Sequence, residues 1–424
     1  MGGLSPTSVA DRVADEAPQD AEPASRLDVA VIGAGIIGAC IAHQLVRRGA
    51  AVTMIDRDEP GRGCSYGNSG AISESSVTPL AMPGVLASIP GMLTDAKGPL
   101  YLPPGYFPSA IPWLARFVAA ARPSRVADAA ARLSALHAGA VAKHEALARE
   151  LGIPEVVARR GHLHLYPDRK ALDQDAAAWA MRERFGFRFE QLDRAGILAL
   201  EPQVGKRYQV GIFLADHATV LNPLRYVQAI VGASVDRGAR LLRHDVRQIA
   251  SLPAGGWRLH YEAGTQDVDH VVVAAGAWSR NLLEPLGVRL HVESQRGYHV
   301  QFEGAPKVVT RTVVLADRKV FVTPMEAGIR VGGTVEIGGL ARPPNPKRAD
   351  VLHRIALDTF DGLDDIRTTR WMGHRPCMPD TVPVIGPVSG RPGLWIAAGH
   401  GHLGMTDSIG TAERIASGLL AHVG

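Results

Sequence analysis

The hydrophobic pattern changes period abruptly near the start of the chain. Asp28-Val29-Ala30-Val31-Ile32 is a short apolar run of the kind buried in a parallel sheet. It ends directly in Gly33-x-Gly35-x-x-Gly38, after which Ile37, Cys40, Ile41 and Leu45 recur at helical spacing. Arg47-Arg48-Gly49 supplies basic residues and a stop for that helix, and Ala51-Val52-Thr53-Met54-Ile55 reads as the next strand, closed by Asp56. Further along, Val300–Phe302, Thr312–Leu315, Val320–Val322 and Ile329–Gly332 read as strands of a mostly antiparallel unit. Ala129 to Leu151 carries apolar positions at helical period and ends at Gly152, and a last helix is expected from Thr406 to Leu420. Alternating strands and helices argue for an α/β fold.

The first unit carries chemistry. Gly33 permits a tight turn, Gly35 lets backbone approach a phosphate, and Gly38 lets the helix pack on the strand. The helix N-terminus offers unpaired N–H groups and partial positive charge to a pyrophosphate. Asp56 can accept hydrogen bonds from ribose hydroxyls, and its charge would repel a 2′-phosphate. These features point to a dinucleotide and leave FAD and NAD both open.

Size and composition narrow the setting. A chain of 424 residues suggests about two domains. Its net charge of +4 gives no argument for a nucleic-acid partner. Cys40, Cys64 and Cys377 show no pairing or metal spacing, which fits a reducing cytoplasm. Residues 1–26 are polar, acidic and rich in Ala, Pro and Ser, and read as a disordered tail rather than a secretory signal. No run of about 18 apolar residues suggests a membrane-spanning helix. His162-Leu163-His164 and His400-Gly401-His402 each offer half a metal site without a carboxylate or Cys partner, so no metal is expected.

Three later segments bring in a family resemblance. Gly63-Cys64-Ser65-Tyr66-Gly67-Asn68-Ser69-Gly70-Ala71-Ile72-Ser73 resembles the loop under the flavin in the D-amino-acid oxidase/dehydrogenase superfamily. Val271–Ser279 resembles that superfamily's second cofactor strand, and Gly393–Thr406 its C-terminal flavin loop. The bacterial D-amino-acid dehydrogenase branch is marked by Arg296-Gly297-Tyr298, Arg330-Val331-Gly332-Gly333-Thr334-Val335-Glu336 and Trp371–Asp380. Order and spacing agree from about residue 28 to the C-terminus.

That resemblance implies a Rossmann-like FAD-binding domain of glutathione-reductase type plus a mostly antiparallel substrate domain with helices. The FAD domain is expected at 27–75, 200–280 and 372–424, and the substrate domain at 76–199 and 281–371. The FAD contacts implied are Gly33, Gly35, Ile36, Ile37, Gly38, Asp56, Arg57, Ser65, Asn68, Gly70, Ala71, Ile72, Val246, Ala275, Gly276, Trp278, Gly399, Gly401, His402, Leu403, Gly404, Met405 and Thr406. Some relatives attach FAD through a Cys; Gly373 stands at the matching offset here, so the FAD is expected to be non-covalent. Arg375 matches the family's substrate-carboxylate arginine, a role suited to its planar fork. Tyr298 stands where the family places a tyrosine at the substrate, and either donates to the carboxylate or simply packs. Asn68, His374 and His402 are further substrate-side candidates; His374 departs from the Leu common in the family.

The implied reaction is hydride transfer from the Cα of a D-amino acid to the flavin, giving an imine and then a 2-oxo acid and ammonia. Electrons would pass to a quinone or other acceptor. A dehydrogenase of cis-4-hydroxy-D-proline or another cyclic or N-substituted amino acid, a glycine- or sarcosine-oxidase-like enzyme using oxygen, and a silent flavoprotein subunit are the alternatives. Residues 77–125 contain many prolines and then Ile111-Pro112-Trp113-Leu114-Ala115-Arg116-Phe117-Val118 with Arg122 and Arg125. They read as an irregular cover over the site or as a basic, aromatic helix in peripheral contact with the inner face of the cell membrane.

Overall fold

The computed structural model describes residues 26–83 and 98–421. The expected disordered tail therefore lies outside the described residues, save Arg26, as does the 84–97 part of the proline-rich segment.

The first sheet is built around the opening unit. Strand β1 (Asp28–Ile32), helix α1 (Ile36–Arg47) and strand β2 (Ala51–Asp56) follow one another as the periodicity predicts. β1 lies parallel between β2 and β3 (His270–Val273), with Val29 opposite both Val52 and His270. Arg240–Arg243 extends the sheet beyond β2, and Leu394–Ala398 and Val384–Pro387 extend it beyond β3. The unbroken apolar run of β1 has a physical cause. Val29 and Val31 pack under α1, while Ala30 and Ile32 pack against a three-stranded meander that contributes Ile249, Trp257 and Leu259. Both faces are dry, so both parities must be apolar.

The second sheet is larger and mostly antiparallel. At one end of it, β4 (Glu293–Glu303) lies between β5 (Gly328–Ile337) and the edge strand β6 (Thr368–Cys377). Val320–Met325, Thr312–Leu315, His162–Tyr166 and Val210–Leu214 continue it beyond β5. Val210–Leu214 and β6, including residues 372–377, thus pair within this sheet.

One face of this sheet carries a buried charge network. Arg296, with no exposed surface, donates from Nη1 to Glu336 Oε1 at 3.0 Å and from Nη2 to the Pro343 carbonyl at 2.6 Å. The Tyr298 hydroxyl donates to Glu336 Oε2 at 2.6 Å and accepts from the Asn345 amide at 3.0 Å.

Three helices frame the junction of the two sheets: α2 (Phe107–Ala120), α3 (Pro123–His137) and α4 (Gly404–Ala421). The helical period over Ala129–Leu151 hides a break. Gly139 adopts φ +69, which ends α3 and starts a separate helix at Ala140–Glu150.

Several core histidines are held neutral. His144, His162 and His400 are at most 3 % exposed, and burial pushes each pKa down to about 4. In the unfolded chain these groups return to their ordinary value near 6.5, so below that pH the unfolded state binds more protons. Stability is therefore full above about pH 6.5 and falls as pH drops toward 4, by about 1.4 kcal/mol per pH unit for each such histidine. Urea midpoints measured from pH 7.5 to 4.5 should fall through this window, and less steeply in His144→Gln. A flat profile would contradict burial of neutral imidazoles.

Candidate active site

The nucleotide end is built by close backbone packing. Gly33 has φ +108, and a Cβ there would lie 2.5 Å from the Ala274 carbonyl oxygen. A Cβ on Gly38 would lie 1.8 Å from the Gly33 carbonyl oxygen, so α1 can approach the turn only as glycine. Gly35 is open, with only Ser65 Oγ within 4 Å of a would-be Cβ. No side chain of Gly35 caps α1; instead the Ile36 amide donates to Ser65 Oγ at 2.9 Å. The result is a side-chain-free cradle of amides at a helix N-terminus, which fits a pyrophosphate.

Asp56 closes this end. Its Oδ2 accepts from the Ala34 amide at 2.7 Å and its Oδ1 from the Asp58 amide at 3.0 Å. Burial raises its pKa, and these two amides oppose the rise. The Arg57 guanidinium lies 4.2 Å over the Trp278 ring, which joins the end of β2 to the turn after β3. That turn contains Ala275 and Gly276 (φ +56). Val246 is buried in the core beneath the meander, three residues after the pairing of Arg243 with Asp56.

The reactive end lies where the 63–73 loop, the 399–404 loop and one face of β4 and β6 meet. Arg330, only 6 % exposed, clamps the first loop: its Nη1 donates to the Tyr66 and Asn68 carbonyls, each at 2.8 Å. Its Nε donates to Gln301 Oε1 at 3.1 Å. The Ser73 amide donates to Thr406 Oγ1 at 3.0 Å, and the Gly401 amide to the Pro376 carbonyl at 2.8 Å. Both loops are thereby fixed to the start of α4 and the end of β6.

Arg375 occupies the centre of this face. A Cβ on Gly297 would lie 2.1 Å from its Cζ, so the guanidinium lies flat on a bare stretch of β4. It reaches β5 at the irregularity between Arg296 and Tyr298, where Thr334 adopts φ +55. There Nη1 donates to the Thr334 carbonyl at 2.8 Å and Nη2 to the Gly333 carbonyl at 3.4 Å. Among the described residues no carboxylate pairs with it within 4 Å. Trp371 shares the face; Cβ atoms on Gly67 and Gly373 would lie 1.8 and 1.9 Å from its ring. His299 stacks on Trp371 with centroids 5.2 Å apart.

The cleft is electropositive and short of ionisable bases. Burial first, then Arg330, holds the His299 pKa at about 3. Burial first, then Arg375, holds that of His402 at about 4. His402 nonetheless keeps an exposed surface.

Strand alternation separates the sequence candidates. Arg375, Gly373, Trp371, Gly297 and His299 share one face of β4 and β6. Tyr298 and His374 share the other, so neither stands beside Arg375, because adjacent residues of a strand point to opposite sides. The Tyr298 hydroxyl is occupied by Glu336 and Asn345, and His374 Nδ1 pairs with Ser294 Oγ at 2.8 Å. Asn68 turns inward on its own loop, its Oδ1 accepting from the Gly70 amide at 2.7 Å. Four contributors had no role in the sequence reading: Arg330, Trp371, His299 and Gly297. Each except His299 stands inside a quoted motif, and the missing signal was which face each would take.

The sequence profile of a family described as FAD dependent oxidoreductase matches residues 28–417. The chain belongs to this family. Accordingly FAD is its cofactor and it is an FAD-dependent oxidoreductase. A protein named D-amino-acid oxidase from Bradyrhizobium diazoefficiens is 36 % identical over 398 residues, covering 92 % of this chain and 94 % of that one. A D-amino acid dehydrogenase from Sinorhizobium medicae is 32 % identical over 398 residues, with 92 % and 95 % covered. Glycine oxidase from Geobacillus kaustophilus has the same fold, with a TM-score of 0.73, 22 % identity and 93 % and 95 % of the two chains covered. No helix among the described residues is long and apolar enough to cross a membrane. Among the described residues no cluster of His, Cys, Asp or Glu could hold a metal ion.

Gly38→Ala tests the cradle. The purified variant should lack the yellow FAD absorbance and lose about 1–3 kcal/mol of stability, since one backbone segment must move from another. Wild-type FAD content would contradict the packing described.

Proposed function

We propose that the protein oxidises the amine of a D-amino acid to an imine, which water hydrolyses to a 2-oxo acid and ammonia. The observation that carries this reading is the half-buried guanidinium of Arg375, which no carboxylate among the described residues pairs. A partly desolvated cation without a counter-ion is costly, and a ligand carboxylate relieves that cost while meeting the planar fork with two hydrogen bonds. FAD, when bound non-covalently, supplies the acceptor for the hydride leaving Cα. The chain's own residues bind, orient and exclude water. Gly297 and the Gly333 and Thr334 carbonyls fix the guanidinium in its plane, and Trp371 walls the space beside it. His299 and His402 are neutral and remove no charge from the field of Arg375.

The similarity to proteins named D-amino-acid oxidase and D-amino acid dehydrogenase supports a D-amino acid as substrate; a quinone or another carrier is the acceptor proposed, with oxygen as the alternative. Anaerobic mixing with a panel of D-, L-, cyclic and N-methyl amino acids tests the substrate by bleaching of the flavin. Peroxide formed in air against dye reduced without air tests the acceptor. Arg375→Ala should raise KM roughly 10- to 100-fold, the loss of one or two charged hydrogen bonds, with FAD retained. Gly297→Ala should raise KM about tenfold or more by displacing the same guanidinium. Unchanged KM in both variants would remove Arg375 from carboxylate binding.

Peripheral membrane contact is a second reading, favoured by the outer face of α2. Trp113 and Phe117, the aromatic pair singled out in the sequence, are 7 % and 9 % exposed, and the Trp113 indole donates to the Cys377 carbonyl at 3.1 Å. The lipid-facing candidates are instead Phe107, Ile111 and Val118, which are 50 %, 49 % and 53 % exposed beside Arg116, Arg122 and Arg125. Flotation with anionic liposomes should carry the wild type upward and leave the triple variant Phe107→Ser, Ile111→Ser, Val118→Ser behind. Absence of flotation by the wild type would end this reading.

A further inference from the structure

α3 and α4 meet end to end beneath the cofactor cleft, and a charged pair stands at the junction. His137 occupies the last turn of α3 and Asp407 the first turn of α4. Both side chains have no exposed surface, and His137 Nε2 lies 2.8 Å from Asp407 Oδ1. The other ring nitrogen, Nδ1, lies 3.4 Å from the Glu74 carbonyl oxygen. Both nitrogens thus lie near oxygen atoms, although Nε2 makes no well-directed hydrogen bond. The two helix ends favour the same charges, a cation at the C-terminus of α3 and an anion at the N-terminus of α4. Neither Asp407 oxygen accepts a well-directed hydrogen bond, and among the described residues His137 is the ion-pair partner of this carboxylate.

The position of the pair makes it more than a strut. α4 begins as the 399–404 loop ends, and that loop carries His402 in the cleft beside Arg375. The field of the pair reaches the cleft: Asp407 and His137 act on the His402 imidazole with opposite signs. A helix N-terminus stabilises negative charge, and FAD gains negative charge on reduction. A bare carboxylate in the first turn would oppose that effect.

We propose that His137 and Asp407 form a charge-positioning pair for the bound cofactor, in which the imidazolium cancels the carboxylate and leaves the positive end of α4 free to stabilise reduced FAD. The pair acts through the helix and touches neither substrate nor reacting atoms. It rests on the FAD assignment and not on the amino-acid reading, so the two can fail separately.

The test is the reduction potential of bound FAD, measured anaerobically against reference dyes with no amino acid present. His137→Gln strands the carboxylate and should weaken binding of reduced relative to oxidised FAD about tenfold. For a two-electron couple this lowers the potential by about 30 mV. The double variant His137→Gln, Asp407→Asn should return to the wild-type potential, because the charge is gone with its partner. A single variant with wild-type potential, or a double variant as low as the single, would overturn the proposal. If His137→Gln does not retain FAD, Asp407→Asn decides alone: a potential above wild type supports the pairing, and one at or below wild type overturns it.

Discussion

A buried arginine and a half-buried one on opposite faces of β4 and β6 are treated in opposite ways, and the site depends on that difference. Arg296 is neutralised by Glu336, which also takes the Tyr298 hydroxyl, so the charge of the rear face is cancelled. Arg375 donates to two backbone carbonyls, and among the described residues no carboxylate pairs with it. Carbonyl dipoles orient a guanidinium without cancelling its charge, so the front face keeps an unspent positive potential in a region of low dielectric. The irregularity in β5 makes this arrangement available. Thr334 in a left-handed conformation turns carbonyls away from the ladder and toward Arg375, and the missing side chain of Gly297 lets the guanidinium lie across the strand to reach them.

The same face shows why the cofactor loops must be held by the second sheet. Glycine-rich backbone has little packing of its own, and the 63–73 loop would pay a large entropic cost to stay in one form. Arg330 from β5 removes that freedom by binding two of its carbonyls, and Trp371 from β6 fills the space left by Gly67. The cofactor cradle and the substrate floor are thus one construction: strands of the larger sheet fix the loops that complete the smaller one.

This division explains what the sequence disclosed. The opening unit was readable in full because its determinants are local: an apolar run, three glycines, a helical period and a closing acid lie within about thirty residues. Arg375 was readable as a motif position. The separation of Arg375 from Tyr298 and His374 was not, because it depends on how β4 pairs with β6 across more than seventy residues. Motif spacing reports that residues recur together, whereas strand parity decides which of them share a face. The burial of Trp113 and Phe117 was hidden for a related reason. An amphipathic helix with apolar residues on two sides gives no sign of which side meets the core, and here the Cys377 carbonyl selects the tryptophan side.

The imidazoles near Arg375 bind protons poorly. Burial first, and then the charge of Arg330 for His299 and of Arg375 for His402, holds both neutral. Such a cleft favours ligands that bring their own negative charge and reactions that need electrons removed more than protons moved. Hydride loss from Cα places developing positive charge on the substrate nitrogen, which the positive field of Arg375 would resist unless the substrate carboxylate has first neutralised it. On the proposed reaction, carboxylate binding would be a condition of the chemistry as well as of recognition, and an amine lacking a carboxylate would meet a field set against its oxidation.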